Sequence, residues 1–293
     1  MSERLCVMSV HAHPDDESSK GAATIARYAA EGVATVLVTC TGGEEGDILN
    51  PAMDRPEVRE HLAEIRANEL AEAAKVIGYD EVVLLGFRDS GMPGTPANLD
   101  PRNFANAPLE LAVGRLVAAV RRTRPHVMIT YDEDQRGYPH PDHLRTHEIS
   151  VAAYELAGDP HAYPEAGEPF APLKLYYSAR FREHLVARHE KFLELGLESP
   201  YAQRIAEGWL DRLSGAVPTS FIDVRGFIDV RQRALLAHET QIDPNSPHWF
   251  GLPPEAEEEL SASDAFALAR SRVGETRLPE HDLFEGVREL VAS

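Results

Sequence analysis

"LCVMSV" at residues 5 to 10 runs directly into "HAHPDDE" at residues 11 to 17, and the reading of this junction decides the fold. The apolar run is short and rich in aliphatic residues, as a strand buried on both faces should be. Runs of the same kind recur at 33 to 40 (VATVLVTC), 81 to 86 (EVVLLG) and 126 to 131 (HVMITY). Helical patterns separate them: Gly21 to Ala30 closed by Gly32, Glu57 to Ile77 closed by Gly78, and Leu109 to Thr123 stopped before Pro125. Alternation of this kind predicts an α/β fold, a Rossmann-like and mostly parallel sheet flanked by helices with right-handed crossovers.

Residues 1 to 170 are expected to form the Rossmann-like core. Residues 171 to 293 should complete the fold and the substrate pocket as a smaller lobe over it. In that part "LKLYYSAR" (173 to 180) and "TSFIDV" (219 to 224) read as strands, and 181 to 196, 200 to 213 and 226 to 240 as helices. After Gln241 the chain looks loop-like, with the acidic cluster at 255 to 259 a solvated surface.

Composition narrows the function. The 293 residues carry 48 acidic and 29 basic side chains, a formal net charge of -19, which repels phosphate backbones and anionic lipid. Neither nucleic acid nor a membrane is expected as a partner. No apolar stretch is long enough to span a bilayer or to form a signal-peptide core, so a soluble, cytoplasmic protein is expected. The two cysteines, Cys6 and Cys40, sit in apolar runs as reduced core residues do.

Open sheets bind ligands beyond the carboxyl ends of their strands. Those ends carry "HAHPDDE", "TGGEEGD" (41 to 47), "FRDSG" (87 to 91) and "YDEDQRGYPHPDH" (131 to 143), so ionisable residues collect on one rim. The glycines of "TGGEEG" lack the spacing of a dinucleotide loop. Pro14 holds His13 extended, and the chain can then aim His13 and Asp16 at one point. "HPDH" at 140 to 143 repeats histidines around Pro-Asp, and two such clusters can supply a His, His, Asp set of the kind that holds zinc or Fe(II).

Three neighbouring acids, Asp15, Asp16 and Glu17, are costly unless a cation lies among them. With Asp16 on a metal, Asp15 stands where a general base would act on water. The Asp142 carboxylate can hold one ring nitrogen of His140, which as imidazolium could stabilise an oxyanion or protonate a leaving amine. Tyr138 could donate to the oxyanion or simply pack, and Arg66 and Asp89 could grip sugar hydroxyls or make surface ion pairs.

"AHPDDE" with the later "HPDH" resembles the LmbE-like, or PIG-L, family of metal-dependent de-N-acetylases. Within it, "VHAHPDDESSKGAAT", "TGGEEGDILNPAMD", "GFRDSGMP", "YPHPDH", "HETQIDP" and "SRVGETRLPEHDLFEGV" are most similar to the branch that hydrolyses mycothiol S-conjugates. The resemblance implies His13, Asp16 and His143 as ligands of Zn2+ or Fe2+, Asp15 as base, and His140 and Tyr138 as transition-state stabilisers. It also implies that Lys20, Arg66 and Asp89 lie near the substrate, with Gln241 and His238 facing the pocket from a late helix. The implied reaction releases an S-substituted N-acetylcysteine and glucosaminyl-inositol from a small thiol conjugate. Deacetylation of N-acetylglucosaminyl-inositol, a hydrolase of natural-product biosynthesis and a non-catalytic metal-binding scaffold are the competing expectations.

Overall fold

The aliphatic runs form β1 (Cys6–His11), β2 (Ala34–Thr41), β3 (Glu81–Phe87), β4 (Val127–Thr130) and β5 (Lys174–Ser178), and β6 (Ser220–Asp223) and β7 (Ser263–Ser271) follow. They make one sheet in the order β3-β2-β1-β4-β5-β7-β6. The first five strands pair in parallel, and β7 runs antiparallel between β5 and β6. This is the computed structural model of the chain, and it describes residues 4–134, 138–179, 182–212, 215–274 and 276–292. Residues 135–137 of the predicted rim, Arg180 of the predicted strand, and Phe181 and Leu213 of the predicted helices lie outside the described residues.

Helices α1 (Asp16–Ser19) and α2 (Ala22–Ala30) follow β1, and α3 (Pro56–Glu60) and α4 (Leu62–Ile77) follow β2. Next come α5 (Leu109–Thr123) after β3 and α6 (Pro141–Leu156) after β4. Side chains alternate across the sheet. Met8, Val10, Val36 and Val38 pack on Leu116 and Val120 of α5 and Ile149 of α6, while Val7, Val127 and Ile129 pack on Ile25 and Tyr28 of α2. Each face therefore has its own core, and a helical layer covers both.

The rest of the chain continues this sheet. It contributes α7 (Arg182–Glu194), α8 (Ala202–Ala206), α9 (Trp209–Arg212), α10 (Ile228–Ala237), α11 (Pro247–Phe250), α12 (Pro254–Leu260) and α13 (Val287–Ala292). The fully buried Glu280 anchors the final segment to the strands. It pairs with Lys174 and accepts from the Tyr176 and Ser220 hydroxyls, each at 2.8 Å, so its charge is compensated where water is absent.

Five local expectations change, one of them the predicted helix over 200 to 213, which is the two short helices α8 and α9. β3 is an edge strand, so Val82 and Leu84 are exposed rather than buried on both faces. The predicted helix from Glu57 to Ile77 breaks at His61 into α3 and α4. The region after Gln241 holds α11, α12 and β7, and Glu257 of its acidic cluster is buried. Helix α6, which carries "HPDH" at its start, was not visible in the hydropathy pattern.

Strand order reverses between β1 and β4, the place where open α/β sheets form their ligand crevice. The loops after these two strands carry the two histidine motifs.

Candidate active site

Beyond β1 the chain turns sharply. Asp15 takes φ 110°, a left-handed conformation that costs a non-glycine residue about 1 kcal/mol or more. Its amide donates to Glu17 Oε2 at 2.9 Å, and the His13 amide donates to Asp16 Oδ2 at 3.1 Å. The "PDDE" acids thus hold their own loop, and His13 and Asp16 converge. Across the crevice α6 begins with Pro141 at its first position, and His140 caps it by accepting the Asp142 amide on Nδ1 at 3.2 Å. That cap fixes His143 one turn along, facing Asp16.

His13 Nδ1 lies 3.5 Å and His143 Nε2 lies 3.4 Å from Asp16 Oδ2. Ligand atoms of all three residues fall within 4.8 Å of one another, and all three are buried. Against their burial, Lys20 and the histidines hold the Asp16 carboxyl well below the usual range. Burial drives His143 down to about 4, so its imidazole is neutral. For His13 burial is outweighed by hydrogen bonds to Asp142 and Asp16, which raise it to about 10. Two nitrogens and one carboxylate oxygen, with the protonated His13 ring and the Lys20 ammonium gathered around that ionised carboxylate, suit a divalent ion that would displace the His13 proton.

Asp15 stands beside this trio. Burial raises its pKa, opposed by Arg66, whose Nη2 donates to Asp15 Oδ2 at 3.1 Å. Arg66 also donates to the Gly43 and Pro14 carbonyls, so this guanidinium ties together the loops after β1 and β2. Arg66 and Asp89 are buried, and the surface ion-pair alternative does not apply to them. Asp89 accepts the Gly91 amide at 2.8 Å and the Glu45 amide at 3.4 Å, and it approaches His13 Nε2 at 3.7 Å. Gln241 donates to the Asp47 carbonyl at 3.1 Å. Lys20, Arg66, Asp89 and Gln241 all line the same cleft as His13, Asp16 and His143.

The Asp142 carboxylate reaches His13 Nε2 at 3.3 Å, whereas its link to His140 runs through its own amide. Burial and then His13 lower the His140 pKa, which makes this side chain a neutral donor through Nε2 rather than an imidazolium. Tyr138 is half exposed and lies against His140, with ring centroids 5.9 Å apart. Its partial burial and the nearby acids push the phenol up to about 12, so it keeps its proton.

Three contributors were not picked out from the sequence. Tyr131 donates to Asp16 Oδ2 at 2.7 Å and stacks on His143 with centroids 4.4 Å apart, so it orients two of the trio. Ser90 holds Asp142 through its amide at 2.9 Å and through its hydroxyl. Glu17 meets His238 Nε2 at 2.6 Å in full burial, so His238 does not line the cleft as expected, and it and Gln241 lie beyond the end of α10 at Ala237 rather than on a helix. Tyr131 and Ser90 both lie within the rim stretches "YDEDQRGYPHPDH" and "FRDSG", which is the one signal that could have found them.

The trio opens into a cleft of about 620 Å³, a size that encloses a drug-sized ligand. Cys6 and Cys40 are free and buried, and burial pushes both thiols up, which leaves them as core residues. No helix among the described residues is long and apolar enough to cross a membrane.

Comparison with known proteins gives consistent matches. The GlcNAc-PI de-N-acetylase (PIG-L) family model matches residues 8–154, which include both histidine motifs. The chain is 45% identical to a protein of Streptomyces coelicolor named mycothiol S-conjugate amidase, over 99% of each chain. It is 41% identical to a Streptomyces avermitilis protein named 1D-myo-inositol 2-acetamido-2-deoxy-alpha-D-glucopyranoside deacetylase, over 96% of this chain and 97% of that one. Among solved structures, N,N'-diacetylchitobiose deacetylase of Pyrococcus horikoshii shares the fold, with a TM-score of 0.62 at 16% identity, over 91% of this chain and 84% of that one.

Proposed function

The chain belongs to the PIG-L family, and from that membership we propose that it is a divalent-metal-dependent amidase acting on mycothiol S-conjugates. The observation that carries the reading is the His13, Asp16 and His143 trio with Asp15 beside it, on a chain matched over its full length by a relative bearing that amidase name. His13, Asp16 and His143 would hold the ion, zinc or Fe(II). Bound there, it supplies Lewis acidity, which polarises an amide carbonyl and acidifies water.

The chain's own groups do the rest. Asp15, with its raised pKa, takes the proton of the attacking water and returns it to the departing amine. Arg66 keeps the Asp15 carboxylate in place from behind. His140 through Nε2 and Tyr138 through its hydroxyl donate to the oxygen that gains charge as the carbonyl becomes tetrahedral. Asp142 and Ser90 act through His13, holding its ring by the nitrogen turned away from Asp16. Lys20, Asp89 and Gln241 are assigned to the sugar and thiol-conjugate portions that pass over them. The products are an S-substituted N-acetylcysteine and glucosaminyl-inositol, which makes the step a thiol-dependent detoxification in the cytoplasm.

Deacetylation of N-acetylglucosaminyl-inositol is the second reading, favoured by the relative at 41% identity that carries that name. The deciding experiment incubates zinc- or iron-loaded protein with the bimane adduct of mycothiol and, separately, with N-acetylglucosaminyl-inositol. A larger kcat/KM for the adduct, with mercapturic acid as product, is expected. A larger value for the acetylated sugar reverses the assignment, and turnover of neither sinks both.

A further inference from the structure

The cleft continues away from the trio into a chamber built from the C-terminal third. The chain's two tryptophans, Trp209 and Trp249, both line it, and so do Tyr201 and His248. His248 links the rings, with centroids 5.4 Å from Tyr201 and 4.7 Å from Trp249. Arg188, Arg204 and Arg231 line the same wall in a chain whose formal charge is -19. The carboxylate that meets two of them, Arg188 and Arg231, is Glu257. It accepts from Arg188 at 2.8 Å and from Ser261 Oγ at 2.7 Å, and it lies 3.6 Å from Arg231. Arg204 lies over the Trp209 ring at 5.8 Å. Arg231 makes no hydrogen bond to another side chain among the described residues and remains partly open to the cleft. Glu257 thus offsets one of three cations.

We propose that this chamber is a subsite for a planar aromatic group bearing an acidic substituent, carried on the thiol of the substrate. Flat rings stack on the partly exposed tryptophan faces, which the buried Tyr201 supports from behind, and Arg231 offers a guanidinium fork to a carboxylate. The assignment of the group to the thiol side rests on the amidase reading. Binding of the group itself does not.

The test titrates full-length, metal-loaded protein with N-acetyl-S-methylcysteine, N-acetyl-S-benzylcysteine and N-acetyl-S-(4-carboxybenzyl)cysteine, following intrinsic tryptophan fluorescence. Because both tryptophans line the chamber, the signal reports on it directly. The benzyl compound should bind at least about 10-fold tighter than the methyl compound, and the carboxyl group should add about 10-fold more. Arg231→Gln should erase the second step and keep the first, and Arg231→Lys should restore part of it. Arg204→Gln, at an exposed position, gives a second charge deletion that does not touch the core. Equal affinity of the three compounds for the wild-type protein overturns the subsite whatever the variants do. Hydrolysis of the matching mycothiol conjugates is read in parallel. An aromatic preference without hydrolysis overturns the amidase reading alone, and hydrolysis without the preference overturns the subsite alone.

Discussion

Replacing Glu257 with glutamine tests the packing of the C-terminal third at one point. The wild-type carboxylate compensates Arg188, whose side chain is 6% exposed, and ties α12 to α7. Breaking a buried pair by removing one partner costs about 3–5 kcal/mol, because the remaining charge stays buried without compensation. The glutamine carbonyl can still accept from Arg188 and Ser261, and Arg188 keeps its bond to the Tyr201 hydroxyl at 3.2 Å. The expected loss is therefore at the lower end, about 3 kcal/mol at pH 7. Acid supplies an internal check. Burial raises the Glu257 pKa, but Arg188 outweighs it and the net direction is down from 4.5. A depressed carboxyl stabilises the fold above its unfolded pKa and loses that contribution as pH falls through the folded value. The gap between wild type and Glu257→Gln should then close as pH drops below 4.5. Urea unfolding followed by tryptophan fluorescence measures it, since Trp209 packs in the same small apolar cluster as Phe192 and Tyr201. A variant within about 0.5 kcal/mol of wild type at pH 7 would refute the pairing as a stabilising element.

Asp15→Ala should keep its metal and lose at least about 100-fold in kcat, checked by metal content alongside hydrolysis. Tyr131→Phe removes the 2.7 Å bond to Asp16, and metal affinity measured by competition with a chelator should fall about 10–100-fold with little change in fold. In Gly43→Ala the new methyl group overlaps the Arg66 guanidinium at a backbone φ of +68°. Hydrolysis should drop with a stability loss of about 1–2 kcal/mol, read together from rates and urea midpoints, and unchanged kinetics would argue against Arg66 as the support of Asp15.

Much of the centre could be read from the chain because its chemistry is local. His13, Asp15 and Asp16 lie within four residues directly after a strand, and charge crowded beside a core strand is conspicuous. Helix α6 was opaque because its buried face carries Asp142, His143, Thr146 and Ser150 among the apolar residues, which hides the helical period. Glu257 reads as solvent-facing because its acidic neighbours Glu255, Glu258 and Glu259 are exposed. Its partners Arg188 and Arg231 lie far back in the chain. Tyr131 and Ser90 act on Asp16 and Asp142 across 115 and 52 residues, so their place on the rim could mark them as candidates but not name their partners. Composition alone cannot show that three arginines of an acidic chain gather on one wall.

Asp15 sits where glycine would be comfortable. Its left-handed backbone and part-buried carboxylate are liabilities for folding, so Asp15→Gly would relieve the backbone while removing the proposed base. Any selection for yield, heat resistance or solubility would favour chains that have lost this side chain. A lineage released from the need for catalysis would drift the same way. If Asp15 is the base proposed above, the identity of residue 15 is a historical record, and an aspartate there marks a chain whose turnover was still being selected.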